Sequence, residues 1–330
     1  MQVLRLEKKR LLHFLDVVKK GFEIIAPVKS DLVRFSKIYH AEEIYLEKQS
    51  YFPVKEYFFR KEETLFQFRG TSITVPAYAA KKRMFFGLRR CDLNAIKNQD
   101  IVFIGDMGDP YYKAARENSY LLGYHCNTAP SPYCFCGSLD LVDFFDLMFF
   151  DKEDHFLVEV GSERGKSLAE KYREFFTDSQ RLITQNEKRI PGVHRLENKD
   201  ISGFYDHQDW KKGADICLSC GACTTLCPTC YCFEIHDEVK TADPCKGERR
   251  REWSSCQLQE FTRVAGDHIF RKEREDRFKH RIYHQLQYFK EKYGVQMCVG
   301  CGRCIEGCPT RIDFVRILNE MKNGKTENNG

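Results

Sequence analysis

The chain has 330 residues, 42% hydrophobic and 31% charged. That is enough apolar content for packed cores, which excludes wholesale disorder, and the length suits two domains. A net charge of +5 is too balanced to point to nucleic acid. In chain order, Leu11, Leu12, Phe14, Leu15 and Val18 recur at helical spacing, with Gly21 placed as a C-cap. Residues 22–28 read as a strand, and residues 83–88 as another. A helical pattern runs from Asp92 to Ile96, followed by a third strand over 119–124. Two apolar runs, 141–150 and 155–160, bracket Asp151-Lys152-Glu153-Asp154 as a hairpin.

The abnormal count is cysteine, at 16. The N-terminus shows no apolar signal core, and the longest apolar run, 141–150, is broken by Asp143 and Asp146. The expectation is therefore a cytoplasmic chain in a reducing compartment, with no membrane and no nucleic-acid partner. There, thiols serve as metal ligands rather than disulfides. Four cysteines lie between 91 and 136, and the other twelve between 217 and 308. This distribution predicts an α+β protein. Residues 1–205 form an α/β domain, and residues 206–330 a bacterial-ferredoxin-like dicluster domain with a long helical insertion at about 233–292.

The C-terminal cysteines contain an internal repeat. Cys217, Cys220, Cys223 and Cys227-Pro228 match Cys298, Cys301, Cys304 and Cys308-Pro309, both in the form CxxCxxCxxxCP. Three cysteines two residues apart wrap one side of a [4Fe–4S] cubane, while the fourth ligates the other cluster. Cys217, Cys220, Cys223 and Cys308 would hold cluster 1. Cys298, Cys301, Cys304 and Cys227 would hold cluster 2. Gly221, Gly300, Gly302 and Gly307 allow close backbone approach. Structural zinc usually joins two distant CxxC halves instead. Shared ligands also staple the fold, so the metal-free domain should lose its structure.

Cys91 and Cys126 follow two strands of a βαβ pattern, at the edge where such sheets hold ligands, and the loop beyond Asn127 could return Cys134 and Cys136 there. Spacing alone leaves both a third cluster and four buried structural thiols open. In the connector, Cys230 and Cys232 alternate with Tyr231 and Phe233 as on one strand face. Farther on, residues 271–279 interleave basic and acidic groups. They read as a solvated helix with i,i+4 pairs or as a docking face for an acidic partner.

The segments Arg90-Cys91-Asp92, Tyr133-Cys134-Phe135-Cys136, Cys227-Pro228-Thr229-Cys230-Tyr231-Cys232 and Glu252-Trp253-Ser254-Ser255-Cys256 occur in that order, before Asp267-His268 and the second motif. From about residue 80 to 320, the chain resembles the iron–sulfur β subunit of soluble, sulfhydrogenase-type NiFe hydrogenases. It is equally similar to the iron–sulfur electron-transfer subunit of anaerobic sulfite reductase. The resemblance implies an electron-transfer subunit between a flavin subunit handling NAD(P)H and a catalytic subunit, either NiFe hydrogenase or sirohaem sulfite reductase. It favours a third cluster at Cys91, Cys126, Cys134 and Cys136. Cys230, Cys232 and Cys256 fit the family pattern and are further candidate ligands, whereas Cys245 does not clearly fit. The details around Cys230-Tyr231-Cys232-Phe233 and Cys256-Gln257 lean to the hydrogenase side.

No GxGxxG follows a strand and no phosphate-binding loop is present, so flavin or nicotinamide belongs on a partner. No catalytic residue can be placed. His125 and His268 read as packing or hydrogen-bonding histidines. A competing reading makes the chain a sulfur or sulfite reductase in its own right, with an open-site cluster at Cys230, Cys232 and Cys256.

Overall fold

The computed structural model describes residues 2–76, 81–105, 108–197 and 199–321. Residue 198 and the C-terminal residues 322–330 lie outside them.

Its first half is a sheet built from β1 (Val3–Glu7), β2 (Glu23–Lys29), β3 (Val33–Lys37), β6 (Arg83–Leu88), β7 (Ser119–Tyr124), β8 (Leu147–Asp151), β9 (His155–Val160) and β10 (Thr177–Asp178). Their order is β10-β1-β9-β8-β7-β6-β2-β3. The four central strands, β2, β6, β7 and β8, run parallel, and the outer ones antiparallel. Alternation along β6 sends Met84 and Phe86 to one face and Phe85 to the other. The first face packs on helix α1 (Lys8–Val18) through Phe14, Leu15 and Val18, and on α4 (Glu163–Lys171) through Leu168. The second packs on α2 (Arg90–Phe103) and α3 (Pro110–Glu117) through Leu93, Ile96 and Tyr112. Covered on both faces, the central strands are apolar almost throughout, as buried parallel strands are.

Two expectations shift in this half. Lys19, not Gly21, caps α1. The strand expected from residue 141 starts only at Leu147, because the Asp146 carboxylate accepts the Leu121 N–H at 2.8 Å and the Ser162 hydroxyl at 2.6 Å. A buried acid held this way turns the preceding chain out of the sheet.

A second sheet crosses the boundary expected near residue 205. Its strands β4 (Glu62–Arg69) and β5 (Ser72–Thr74) come from the first half. The hairpin β11 (Phe233–Lys240) and β12 (Asp243–Trp253) comes from the insertion, and the order is β11-β12-β4-β5. At the seam, buried Arg251 of β12 is ion-paired with Glu63 and Asp109, and Trp253 Nε1 donates to the Phe59 carbonyl at 3.2 Å. The insertion therefore opens with a hairpin, followed by the short β13 (Arg263–Val264) and β14 (His268–Ile269). Only then comes its helical part, α7 (Arg274–Tyr283), a π-helical turn over His284–Tyr288, and α8 (Phe289–Tyr293).

The remaining helices are short: α5 (Lys211–Ala214), α6 (Ala222–Thr225), α9 (Arg303–Glu306) and α10 (Phe314–Glu320). They share a core with α7 around Trp210, Phe278, Ile282, Ile305, Phe314 and Leu318. Phe135 and Leu139, from the loop after β7, complete that core. The basic residues of the 271–279 run divide: Lys272 and Arg274 are exposed, as the solvated reading expects, whereas those farther along α7 turn inward. Arg277, Lys279 and Arg281 are buried. Arg277 donates to the carbonyls of Gln257 and Arg271 at 3.0 and 3.1 Å. Within residues 271–279, the Glu275–Lys279 pair at 3.2 Å matches the i,i+4 pattern.

Candidate iron–sulfur centres

The sequence repeat is also a backbone repeat. Ser219 (φ 52°) and Gly300 (φ 64°) occupy matching positions, as do Gly221 (φ 75°) and Gly302 (φ 73°). Left-handed residues fold each CxxCxxC into a tight loop before the four-residue helix, α6 or α9. Each loop turns a backbone N–H onto its first sulfur. Ser219 N–H donates to Cys217 Sγ at 3.4 Å, and Gly300 N–H to Cys298 Sγ at 3.5 Å. After each CP, a threonine hydroxyl meets the fourth sulfur, Thr229 on Cys227 at 3.1 Å and Thr310 on Cys308 at 3.5 Å.

The crossover expected from the spacing has a spatial counterpart. Cys217, Cys220, Cys223 and Cys308 line one cavity. Cys227 lines another together with Cys298, Cys301 and Cys304. Cys91, Cys126, Cys134 and Cys136 gather beside the second motif. Cys91 sits on the first turn of α2 after β6, and Cys126 just beyond β7. Because β6 and β7 are parallel, both emerge at one sheet edge. The loop 133–136 lies against the second motif, where the Phe135 N–H donates to the Gly300 carbonyl at 2.8 Å. A Cβ on Gly300 would come within 2.5 Å of the Cys136 nitrogen.

At several of these positions burial favours the neutral thiol. It pushes Cys134, Cys136 and Cys301 up to about 12, and Cys223 and Cys304 up to about 11. Charge compensation comes from buried cations. Arg281 donates to the Cys223 carbonyl at 3.1 Å, and its charge faces Cys223, Cys304, Cys230 and Cys227. Its Nε has no hydrogen-bond partner. Lys55 reaches the carbonyls of Thr224 and Cys230 at 3.1 and 3.0 Å. Arg303, on α9, contacts Asp92 at 2.8 Å and faces Cys301 and Cys91. Arg89 stands beside Cys126. Quartets of thiols with N–H donors on sulfur and buried guanidinium groups nearby fit anionic iron–sulfur clusters. Among the described residues, no three His, Cys, Asp or Glu side chains converge as around one metal ion.

Comparison with known proteins agrees. A model of the 4Fe-4S dicluster domain matches residues 216–312. The chain is 34% identical to sulfhydrogenase 2 subunit beta of Pyrococcus furiosus, over 98% of this chain and 99% of that one. The chain belongs to the sulfhydrogenase beta-subunit family. As a member, it is an iron–sulfur electron-transfer subunit carrying [4Fe–4S] clusters. It is also 25% identical to the F420-dependent formate dehydrogenase subunit beta of Methanocaldococcus jannaschii, over 50% of this chain and 38% of that one. No solved structure matches.

The remaining sequence candidates separate in this sulfhydrogenase beta-subunit fold. Cys230, Cys232 and Cys256 line one cavity, but β11 starts only at Phe233, so Cys230 and Cys232 precede the strand on which they were expected. Cys245 is exposed on β12. His125 is buried and stacks on Phe150 with ring centroids 4.6 Å apart, and burial lowers its pKa to about 4. His268 is exposed in β14. Among the described residues, no helix is long and apolar enough to cross a membrane. Sequence reasoning missed Lys55, Arg281 and Arg303. Arg303 lay in plain view inside the second motif, whereas Lys55 sits in a segment with no motif at all.

Proposed function

We propose that the chain is a three-cluster relay between a flavin subunit that handles NAD(P)H and a NiFe catalytic subunit. Cluster 1 takes Cys217, Cys220, Cys223 and Cys308, and cluster 2 takes Cys298, Cys301, Cys304 and Cys227. Cluster 3 takes Cys91, Cys126, Cys134 and Cys136. When bound, each cubane supplies one-electron storage and transfer. The protein's own part is to hold the thiolates, exclude water and set buried positive charge beside them.

The observation that carries this reading is the seam between the N-terminal cysteine loop and the second motif. There the Cys134 thiol lies 3.8 Å from the Cys301 carbonyl, and the Phe135–Gly300 hydrogen bond of 2.8 Å fixes the loop. Thiol groups that share a wall give neighbouring redox sites. The Pyrococcus furiosus relative is named as a sulfhydrogenase subunit, which supports NiFe partners.

The test uses the intact complex carrying Cys301→Ala. Throughput from reduced nicotinamide to the catalytic partner should stop, while each partner keeps its activity with artificial dyes. Undiminished throughput would refute the relay. Copurification with a sirohaem subunit in place of a NiFe subunit would move the chain to the sulfite reductase reading.

A further inference from the structure

We propose that Cys230, Cys232 and Cys256 hold a further [4Fe–4S] cluster, whose fourth iron is ligated by an imidazole of the His280/His284 pair. This goes beyond the three-cluster relay and uses none of its twelve thiols.

The hairpin makes the site. Phe233 of β11 pairs with Trp253 of β12, and the Ser254 N–H donates to the Cys232 carbonyl at 2.9 Å. That pairing returns Cys256 to the end of the hairpin from which Cys230 and Cys232 enter. The three thiols line a cavity of about 330 Å³, and Cys230 and Cys256 are only 6% and 5% exposed. The cavity is partly open to the surface and has room for a group larger than a single water molecule. Opposite the thiols stand His280, His284 and Gln285, presented by α7 and the π-helical turn. Such turns are frequent at functional sites.

Polar groups are aimed at the sulfurs. Gln285 Nε2 donates to Cys230 Sγ at 3.4 Å, and Gln257 Nε2 to Cys256 Sγ at 3.8 Å. A neutral thiol is a weak acceptor, and buried amides spent on it make better sense if the sulfur is a thiolate. Two buried cations flank the cavity. Arg281 lines it, and Lys55 holds the Cys230 carbonyl at 3.0 Å. Among the described residues, neither has a carboxylate partner in an ion pair. Arg281 also faces Cys223 and Cys304 of the two motifs, and a thiolate-ligated cluster here would place further negative charge beside the same cations. Three packed structural thiols would leave the cavity and the amide donors on the sulfurs unexplained. A single ion is not the occupant, since no three such ligands converge as around one among the described residues.

No free thiol completes the set. Cys245 is exposed, with its carbonyl bonded to the Gly70 N–H at 2.7 Å in the turn between β4 and β5. The two imidazoles lie stacked at 5.8 Å, and Tyr231 Oη meets His284 Nε2 at 3.4 Å. Histidine is an established substitute for cysteine on cluster iron.

The test is anaerobic reconstitution of the full chain, read by iron and sulfide analysis. Wild type should hold about sixteen irons, at four per cubane. Cys232→Ser and Cys256→Ser should each lose about four, and Cys245→Ser none. Circular dichroism and the remaining cluster spectra report whether each variant is folded, and the two serine variants back each other up. Pulsed EPR of the reduced wild type should show imidazole nitrogen coupling, lost in the His280→Ala/His284→Ala double variant. Unchanged iron in both serine variants would overturn the site. Wild type without nitrogen coupling would overturn the imidazole ligand. Neither outcome touches the N-terminal cluster, which Cys134→Ser reads separately.

Discussion

Arg281 is the side chain on which the cysteine groups converge. Its guanidinium is buried, and its charge faces sulfurs of both motifs as well as Cys230. A fixed positive charge beside a cluster favours the reduced, more negative state. Arg281→Leu should therefore lower the reduction potential of the neighbouring clusters. At ~8 Å and an effective dielectric near 20, one charge is worth roughly 2 kcal/mol, or on the order of 50–100 mV for one electron. Arg281→Lys should retain most of the potential, because the charge stays although the bond to the Cys223 carbonyl need not. EPR-monitored redox titration decides. A potential that ignores Arg281→Leu would mean that backbone dipoles, not this charge, set the electrostatics.

At the scale of elements, the question is what joins the N-terminal cysteine loop to the second motif. Asp92 of α2 and Arg303 of α9 meet at 2.8 Å, 1% and 2% exposed, and Arg303 Nε also donates to the Ser50 carbonyl at 2.7 Å. Removing one member of such a pair strands a buried charge, at a cost of about 3–5 kcal/mol. Arg303→Leu should lower the melting temperature by roughly 6–15 °C, and adding Asp92→Leu should restore part of it. A second handle is Gly302, whose Cβ would lie 2.6 Å from the Tyr133 carbonyl. Gly302→Ala is strained twice, by φ and by contact, and should release the 133–136 loop. The loss of about four irons, with the C-terminal motif thiols intact, would register it.

These joints mark where the sequence stopped being legible. The repeated motif specifies its own loop geometry through Gly221, Gly300 and Gly302, so the tight backbone could be foreseen, whereas the left-handed Ser219 carried no signal. The parallel strands β6 and β7 were legible for a similar reason, since buried strands between helices are apolar runs. The hairpin of β11 and β12 was not. Its first strand, from Glu234 to Lys240, is exposed at every position, so no period-two pattern separates it from a polar loop. Its pairing with β4 is a contact between distant segments that periodicity does not encode. The basic run into α7 was legible only in part, because charge patterning alone does not distinguish a guanidinium in water, as at Arg274, from one donating to buried carbonyls, as at Arg277.

For the whole molecule, the eight-stranded sheet and the cysteine-bearing half differ in what sustains them. The sheet encloses two apolar cores of its own, one on each face. The cysteine-bearing half has a core around α7 and α10, but its cysteine loops run into α6 and α9, four residues each, which are far too short to be helical by themselves. Bound iron should therefore contribute folding energy there and little in the sheet. On iron removal under anaerobic chelation, amide protection should fall at least ~100-fold over 217–232, 298–312 and 126–136, while β2, β6, β7 and β8 remain protected. Hydrogen exchange followed by mass spectrometry measures both at once. The ion pair between α2 and α9, and the strand pairing of β4 with β12, oppose that separation. If protection were lost uniformly, those two joints would bind the halves into one cooperative unit, and the clusters would stabilise the sheet as much as their own loops.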